Sequence, residues 1–422
     1  MSLLKTEYLI LGAGVSGLSA GIFLGNKKKF IILEKENEIG GYCKTIYKDG
    51  FVWDYSGHFF HFKKKFIKNL VLSRINKNDI IRVKKKAGIL YKNKIIPASF
   101  QNNIHHLPKE EFLECLYDLY FKKENRNSNF LDWSYGNLGK AITEKFIKPY
   151  NEKLYACSLN KLDVNAMGRF FPVTKLENIF RNFKKKQDQS YNDYFLYPRF
   201  GAISYINSLI KGRLNTSRIL KDEEIKKIDY KKKIAITNNR KIKYNKIIST
   251  IPLNKLLGMA RIKYNKKLYN HNKVIVFNFG FDKNFKIKEQ WLYVADKDII
   301  FYRVGFYSNI IKQKHGSMYV EIGMPQNKKY NLKDIRKKAL KDLRKQKIIT
   351  NHKLISEHCV VMDPAYLHLS KESIKDSKNK IKYLKSKNIY CCGRYAEWTY
   401  CSIEDNIISA QKIISEIKKS NK

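Results

Sequence analysis

The sequence of 422 residues predicts an α/β fold that combines a Rossmann-like domain, an inserted helical domain and an antiparallel β-sheet domain. Three observations support this prediction. A short apolar run near the start of the chain leads directly into a cluster of glycines. Apolar side chains recur at helical spacing over residues 110–148, and β-branched and aromatic runs dominate residues 273–361. Alternating strands and helices favour a parallel sheet, whereas successive strands favour an antiparallel one.

The opening segment predicts a dinucleotide-binding site. The apolar run 8–11 is typical of a buried strand, and it is followed by the pattern G-x-G-x-x-G at Gly12, Gly14 and Gly17. A helical run and a second apolar strand ending at Glu34 complete the context that this motif requires. Gly14 lets the backbone approach a pyrophosphate at the N-terminus of the helix, and Glu34 can accept a hydrogen bond from a ribose hydroxyl.

A second glycine pair, Gly40-Gly41, follows Glu34 closely, and Gly57-His58 follows an aromatic segment. This order of motifs resembles the flavoprotein family that includes amine oxidases, protoporphyrinogen oxidases and UDP-galactopyranose mutases. The resemblance implies a resident FAD, with the glycine pair along the cofactor and His58 beside its isoalloxazine ring. The residues predicted to bind FAD are Gly12, Gly14, Ser16, Gly17, Glu34, Lys35, Gly40, Gly41, Gly57, His58, Gly393, Arg394, Ser402 and Asp405.

The formal net charge of +46 arises from 84 basic and 38 acidic residues. The lysines are scattered among Asn and Ile residues, so they predict solvated lysine faces and not a nucleic-acid site. We therefore expect no nucleic-acid partner. A basic surface would still attract anionic substrates and anionic lipids, which leaves peripheral contact with a membrane open.

The 7 cysteines are odd in number and contain no C-x-x-C pair, which favours a reducing cytoplasm over a disulfide framework. No signal peptide is visible, and the uncharged run 8–25 is the glycine-broken strand and helix, not a transmembrane segment. The sequence shows no cluster of metal ligands, no nucleophilic serine or cysteine with a partner, and no acid–base pair. We therefore expect a soluble protein without a metal site.

The predicted FAD-binding domain is discontinuous and comprises residues 1–75, 191–260 and 386–422. A helical substrate domain covers 76–190, and an antiparallel sheet substrate domain covers 261–385. Helices are predicted at 110–122, at 138–148 with an end at Pro149, at 203–210, at 332–346 and from Ser402 onward, where Asp405 is the capping partner. Strands are predicted at 247–251, 274–277, 299–302, 318–322 and 388–391.

Short stretches in the same order along most of the chain resemble the UDP-galactopyranose mutases, particularly those of eukaryotic type. Within residues 97–104, the resemblance implies that Phe100 stacks on uracil and that Gln101 forms hydrogen bonds with it. Ala98 departs from the family, which usually has a tyrosine at this position.

The resemblance further implies that Arg169 and Arg303 clamp the diphosphate, since planar guanidinium groups match phosphate oxygens. These two arginines and His58 are the predicted catalytic residues. The predicted substrate contacts are Phe100, Gln101, Asn151, Tyr155, Arg169, Asn192, Tyr293, Arg303, Tyr366 and Tyr400.

The resemblance implies a UDP-sugar pyranose/furanose mutase in which N5 of reduced FAD is the nucleophile at the anomeric carbon and no net oxidation occurs. NAD(P)H or another donor would reduce the cofactor, and the product would serve the synthesis of cell-surface polysaccharides. One alternative is an FAD-dependent oxidoreductase of the amine oxidase or protoporphyrinogen oxidase type. A second is a non-enzymatic basic protein that binds nucleic acid or membranes, which the FAD motifs make a poor fit.

Overall fold

A computed structural model of the chain describes residues 3–122, 128–164, 166, 174–184 and 193–420. Its strands are β1 (Leu3–Leu11), β2 (Phe30–Leu33), β3 (Thr45–Lys48), β4 (Phe51–Asp54), β5 (Ile80–Lys84), β6 (Ala87–Tyr91), β7 (Lys94–Pro97), β8 (Tyr194–Pro198), β9 (Ile219–Leu220), β10 (Ile225–Asp229), β11 (Ile234–Thr237), β12 (Lys241–Ser249), β13 (Asn272–Phe281), β14 (Trp291–Val294), β15 (Arg303–Phe306), β16 (Gly316–Pro325), β17 (Leu354–Met362) and β18 (Ile389–Cys391). Its helices are α1 (Val15–Leu24), α2 (Lys65–Leu72), α3 (Lys109–Tyr120), α4 (Phe130–Ile142), α5 (Lys148–Tyr155), α6 (Leu176–Lys184), α7 (Ile203–Ile210), α8 (Leu253–Met259), α9 (Ser308–Ile311), α10 (Leu332–Lys345), α11 (Lys371–Ser386) and α12 (Ile403–Lys419).

The first sheet has the order β10-β11-β12-β1-β2-β9, and β18 also pairs with β12. Strand β1 lies between β12 and β2 and is parallel to both. Alternate side chains of β1 enter opposite layers: Tyr8 and Ile10 pack with α1, α7 and α12, whereas Leu9 and Leu11 pack with α8 and α11. Both faces of the parallel strand are therefore buried, which explains its nearly continuous apolar run. The predicted Rossmann-like start of the chain is confirmed.

The second sheet has the order β17-β13-β16-β15-β14-β6-β7. Its pairs are antiparallel except for the parallel pair of β14 and β6. Along β13, Ile275 and Phe277 pack on the side of α10, whereas Val274 and Val276 pack on the side of α4 and α5. This sheet therefore separates α10 on one side from α4 and α5 on the other.

Three elements differ from the sequence predictions. Residues 80–97, which we predicted as the start of the helical domain, form three strands, and two of them extend the second sheet. Pro149 does not end a helix, since it lies in the first turn of α5 after a π-helical turn, where no backbone N–H is needed. Residues 299–302 are not a strand, because the chain turns there before β15 begins at Arg303.

The predicted helices at 203–210 and 332–346 and the C-terminal helix are confirmed by α7, α10 and α12. The domain boundaries themselves remain a prediction. All seven cysteines are free thiols. In the part of the chain that the structure describes, no helix is long and apolar enough to span a bilayer.

Candidate active site

The glycine-rich turn after β1 has little room for side chains. A Cβ atom added to Gly17 would lie 1.9 Å from the Gly12 carbonyl oxygen, so helix α1 packs directly on the turn. Gly12 has φ +98°, a left-handed conformation that favours glycine. Gly14 is different, because a Cβ there would meet only the Cα atom of Gly41, at 3.8 Å. The second glycine pair thus lies against the first turn, and the Gly40 amide donates to the Ala13 carbonyl at 2.9 Å.

Helix α1 begins at Gly14 without a side-chain cap and without an acidic residue in its first turn. Its first amide groups and the positive end of its dipole are therefore available to an anion. Glu34 at the end of β2 is only 8% exposed, and its Oε2 accepts the Ala13 amide at 2.8 Å. Lys35 points away to the surface, where it pairs with Glu36 at 3.1 Å.

The C-terminal segment around Gly393 and Asn406 packs against Ser16 at the start of α1. Asn406 of α12 accepts hydrogen bonds from the Ser16 hydroxyl and from the Arg394 amide, both at 2.9 Å. Gly393 has φ +86°, and a Cβ there would lie 2.1 Å from the Ser16 Oγ. Asn406 was not predicted, because a single asparagine within a helix carries no motif.

The predicted capping box of α12 is confirmed. The Asp405 amide donates to the Ser402 hydroxyl, and the Ser402 amide donates to the Asp405 carboxylate at 2.8 Å. These two side chains therefore stabilise the start of α12. A cofactor contact by either of them remains a prediction.

These features fit the dinucleotide part of FAD. Bare backbone at Gly14 and Gly41 leaves space for a pyrophosphate, the uncapped end of α1 supplies amide donors, and Glu34 supplies a ribose acceptor. The described residues thus form a site that a bound dinucleotide would fill.

His58 lies in the loop after β4, next to the second sheet. A Cβ at the preceding Gly57 would lie 2.4 Å from the hydroxyl of Tyr319 on β16, so only glycine allows this close approach. Burial lowers the pKa of His58 to about 4; Glu321 opposes the shift, and Arg303 adds to it. His58 is therefore neutral at physiological pH.

Arg303 on β15 forms a two-pronged ion pair with Glu321 on β16. Its Nε donates to Oε2 at 2.7 Å and its Nη2 donates to Oε1 at 2.6 Å, while Glu321 is fully buried. Ser56 donates to the same carboxylate and accepts from Arg303 Nη2 at 3.2 Å. Burial alone would raise the pKa of Glu321, but Arg303 holds it below its usual value. No partner for Nη1 of Arg303 is found among the described residues, so this nitrogen can donate to a ligand.

The predicted substrate tyrosines lie together. The rings of Tyr366 and Tyr400 are 6.2 Å apart and nearly parallel, and Tyr155 meets Tyr366 at 5.6 Å. Arg394 lies over both Tyr400 and Tyr366, with its Cζ 4.5 and 5.3 Å from their ring centroids. Tyr293 is close enough to Arg303 for the guanidinium to influence its pKa.

Burial raises the pKa of Tyr155, Tyr293 and Tyr366 above the ordinary value. Their hydroxyls therefore stay protonated: that of Tyr155 already donates to the Ala166 carbonyl at 3.2 Å, whereas those of Tyr293 and Tyr366 can donate to a ligand. Nε of Arg394 has no hydrogen-bond partner among the described residues, and its Nη2 reaches only the Ala365 carbonyl, at 3.4 Å. The site thus contains a guanidinium without a carboxylate partner, surrounded by phenols.

The residues predicted to contact uracil, Phe100 and Gln101, are buried within the protein. Phe100 is fully buried and stacks on Phe146 at 5.0 Å, so neither face of its ring is open to a base in this conformation. Gln101 is also buried, with 2% exposure. Asn151 donates to the Ile147 carbonyl at 2.7 Å, and its Oδ1 lacks a partner among the described residues. The uracil roles of Phe100 and Gln101 remain predictions that require a rearrangement of these side chains.

Arg169 and Asn192 lie outside the described residues. Glu321 was not predicted, although a single acidic residue within the buried run 318–322 was a usable signal. No group of His, Cys, Asp or Glu residues suited to a metal ion occurs in the described ranges.

Comparisons with known proteins support the nucleotide-binding fold. Residues 10–69 match the family of NAD(P)-binding Rossmann-like domains. A protoporphyrinogen oxidase from Dictyostelium discoideum is 25% identical over 362 residues. This match covers 65% of the chain and 66% of the relative, just under two thirds of its length.

Three solved structures share the fold. The crystal structure of a reduced UDP-galactopyranose mutase matches with a TM-score of 0.90 and 21% identity, covering 99% of this chain and 94% of the other. A conjugated-linoleic-acid-producing fatty acid isomerase from P. acnes matches with a TM-score of 0.70 and 13% identity, covering 97% and 98% of the two chains. A cyclohexylamine oxidase from Brevibacterium oxydans also has a TM-score of 0.70, with 11% identity over 98% and 99% of the two chains. The predicted resemblance in fold to the UDP-galactopyranose mutases and the amine oxidases is confirmed.

Proposed function

We propose that this chain is an FAD-dependent mutase that interconverts the pyranose and furanose forms of a UDP-sugar such as UDP-galactose. The observation that carries the proposal is the convergence of Arg303, Arg394 and the phenols of Tyr293, Tyr366 and Tyr400 in one buried site. A diphosphate requires such a set of cationic and neutral donors, whereas an amine does not. The TM-score of 0.90 with a UDP-galactopyranose mutase structure agrees with this reading.

The first task of the protein is to hold the cofactor. Gly14, Gly41 and the N-terminus of α1 would receive the pyrophosphate of FAD, and Glu34 would receive a ribose. When bound and reduced, FAD supplies a nucleophilic nitrogen for the anomeric carbon of the sugar. His58 would contribute a neutral imidazole to the same region, because its pKa of about 4 leaves it uncharged.

The second task is to stabilise the diphosphate as it leaves the sugar. Glu321 neutralises most of the charge of Arg303 and fixes its plane, so Nη1 is aimed at one place and not held by a flexible stem. Arg394, which the sequence predicts as an FAD contact, would act here on the substrate: it has no such carboxylate partner among the described residues and therefore supplies the larger net positive charge. Tyr366 and Tyr400 would donate to the same oxygens. Donors fixed before the reaction cost little reorganisation when the negative charge develops.

The remaining assignments are also part of the proposal. Arg169 and Asn192 would complete the substrate site, and NAD(P)H or another donor would reduce the FAD. We place the reaction in the cytoplasm and expect its furanose product to enter the synthesis of cell-surface polysaccharides. No nucleic acid is needed for this function.

An FAD-dependent oxidoreductase is the second candidate, and the similarity to the Dictyostelium protoporphyrinogen oxidase favours it. One assay separates the two functions. Reduced protein is incubated without oxygen with UDP-galactopyranose, and the nucleotide sugars are separated by chromatography. A UDP-furanose product supports the mutase. Bleaching of the oxidised flavin by a porphyrinogen or an amine, with no furanose formed from any UDP-sugar tested, would establish the oxidoreductase.

A further inference from the structure

Helix α5 ends against the second sheet in an unusual way. The last carbonyl groups of a helix have no partner within the helix, and they must be satisfied by other groups. Here Ala156 follows the helix in a left-handed conformation, with φ 53°. The carbonyls of Lys153, Leu154 and Tyr155 each meet a different part of the sheet or of the segment that follows β17.

Asn272, the first residue of β13, meets the second of these carbonyls. Its Nδ2 donates to the Leu154 carbonyl at 2.5 Å, and its Oδ1 accepts the Tyr366 amide at 2.8 Å. The backbone amide of Asn272 also donates to the Tyr366 carbonyl at 2.9 Å. The residue is fully buried, so these bonds have no competition from water.

His368 meets the third carbonyl. Its Nε2 donates to the Tyr155 carbonyl at 2.8 Å. Burial lowers the pKa of His368 to about 4, so the ring is neutral and carries a single N–H group. Because Nε2 donates to the Tyr155 carbonyl, this proton is on Nε2. The first carbonyl, of Lys153, lies against Gly323, where an added Cβ would be only 2.0 Å from the oxygen.

These contacts connect two predicted substrate residues that are distant in the sequence. Tyr155 ends α5, and Tyr366 lies between the contacts made by Asn272 and His368. Their rings meet at 5.6 Å and 64°. A shift of α5 along its axis would break both hydrogen bonds and separate the rings.

We propose that Asn272 and His368 are positioning residues: they hold the ring of Tyr155 against that of Tyr366 and thereby keep Tyr366 in the geometry required for the diphosphate of the substrate. This inference rests on the proposed function, because it assumes that Tyr366 binds UDP; the Tyr155 hydroxyl donates to the Ala166 carbonyl, so Tyr155 acts through its ring. An asparagine is required at position 272, since one side chain must accept from Tyr366 and donate to Leu154 at the same time. Aspartate keeps the acceptor and loses the donor.

The test measures the affinity of the flavin-loaded protein for UDP, together with its melting temperature and flavin spectrum. We expect Asn272→Asp and His368→Ala to bind UDP at least tenfold more weakly while the flavin spectrum is unchanged. His368→Gln should recover most of the affinity, because a glutamine amide can still donate to the Tyr155 carbonyl. Asn309→Asp is the matched control, because the Asn309 side chain likewise forms two hydrogen bonds with the backbone: its Nδ2 donates to the carbonyls of Ile287 and Glu289 at 2.9 and 2.6 Å.

The outcomes are distinct. If the wild-type protein binds no UDP, the proposed function fails, and this inference fails with it. If the wild type binds UDP and both His368→Ala and Asn272→Asp bind it equally well, the inference is wrong and the proposed function stands. An equal loss of affinity in Asn309→Asp would also overturn it, because the effect would then be a general disturbance of the sheet. If Asn272→Asp does not fold, the comparison of His368→Ala with His368→Gln decides.

Discussion

Arg303 forms a buried ion pair with Glu321 and is also proposed to bind the substrate. Its Nε and Nη2 are committed to the buried Glu321, and no partner for Nη1 is found among the described residues. Replacing Arg303 by alanine would leave Glu321 buried and unpaired, which destabilises the fold by about 3–5 kcal/mol. A loss of UDP binding in this variant could then not be separated from a loss of stability. Lysine keeps the charge but removes the planar two-pronged geometry.

We therefore predict that Arg303→Lys weakens UDP binding about tenfold, equivalent to about 1.4 kcal/mol, without a change in the flavin spectrum. UDP titration of the flavin-loaded protein measures this. Arg336→Lys is the control, since Arg336 forms a similar Nε contact with Glu357 at 2.6 Å on a more exposed part of the same domain. Equal UDP affinity in Arg303→Lys and the wild type would remove Arg303 from the substrate site.

Substitutions at two glycines of the first turn should affect folding and cofactor binding differently. Gly14→Ala adds a methyl group that meets only Gly41, at 3.8 Å, so the protein should fold and lose most of its affinity for FAD. Gly17→Ala places a methyl 1.9 Å from the Gly12 carbonyl, so it should prevent α1 from packing and reduce the folded yield. Circular dichroism reports the fold and absorbance reports the flavin. A yellow Gly14→Ala protein with wild-type FAD affinity would contradict the proposed position of the pyrophosphate.

At this scale the sequence predicted the residues that belong to motifs and missed those that support them. Gly12, Gly14 and Glu34 were identifiable because their spacing carries the chemistry. The acidic residue within the buried run 318–322 was a signal for Glu321, but no local pattern identifies its partners, or those of Asn272, because these lie elsewhere in the chain.

The N-terminus of α12 is an element with a testable role. Its capping box uses Ser402 and Asp405, and α12 contacts the cofactor-binding turn through Asn406. We predict that Ser402→Ala lowers the free energy of unfolding by about 0.5–2 kcal/mol, which is typical for the loss of such a cap. We also expect it to accelerate FAD release, because α12 would fray next to Ser16.

Ser370→Ala is the matched control, since Ser370 forms a capping box with Ser373 at the start of α11. It should cost a similar free energy of unfolding in urea and leave the FAD dissociation rate unchanged. Equal FAD release from both variants would show that the start of α12 has no special relation to the cofactor.

The elements that the sequence predicted correctly are those with one clear periodicity, such as β1, α1 and α12. The errors have physical reasons. The strands at 80–97 are short. Strand β5 pairs with β8 and β6 pairs with β14, and both of these partners lie far away in the sequence; β6 also pairs with β7. Pro149 is tolerated because the first turn of α5 needs no amide donor at that position.

The stability of the whole molecule should depend on pH through buried histidines. Burial lowers the pKa of His58, His61 and His368 to about 4, below the value of about 6.5 expected in the unfolded chain. The unfolded chain therefore takes up protons between pH 6.5 and 4 that the folded chain does not, and stability falls as the pH falls through this window. Asp54 opposes the trend, since burial raises its pKa to about 6 and the folded chain binds its proton first.

We predict a net loss of stability from pH 7 to pH 5, because three histidines outweigh one aspartate. Urea unfolding at several pH values measures it. His368→Gln should reduce the slope over this window, since each unit of pKa shift corresponds to about 1.4 kcal/mol. An unfolding free energy that does not change between pH 7 and pH 5 would contradict the assignment of neutral buried histidines.

In the whole molecule, the Gly57-His58 loop packs against Tyr319 on β16, and His58 lies close enough to Arg303 and Arg394 for both to influence its pKa. Under the proposed function, one reduced cofactor would act on a UDP-sugar whose diphosphate Arg303 and Arg394 would hold. The reaction proposed for this site therefore requires reduced FAD and consumes no electrons.

One measurement tests this claim most directly. The protein is reduced once with a stoichiometric amount of dithionite in the absence of oxygen, and UDP-galactopyranose is added in large excess. We predict that many equivalents of UDP-furanose form per flavin, that the flavin is still reduced at the end, and that oxidised protein is inactive. Product limited to one equivalent per flavin, or activity that requires the oxidised flavin, would contradict the account.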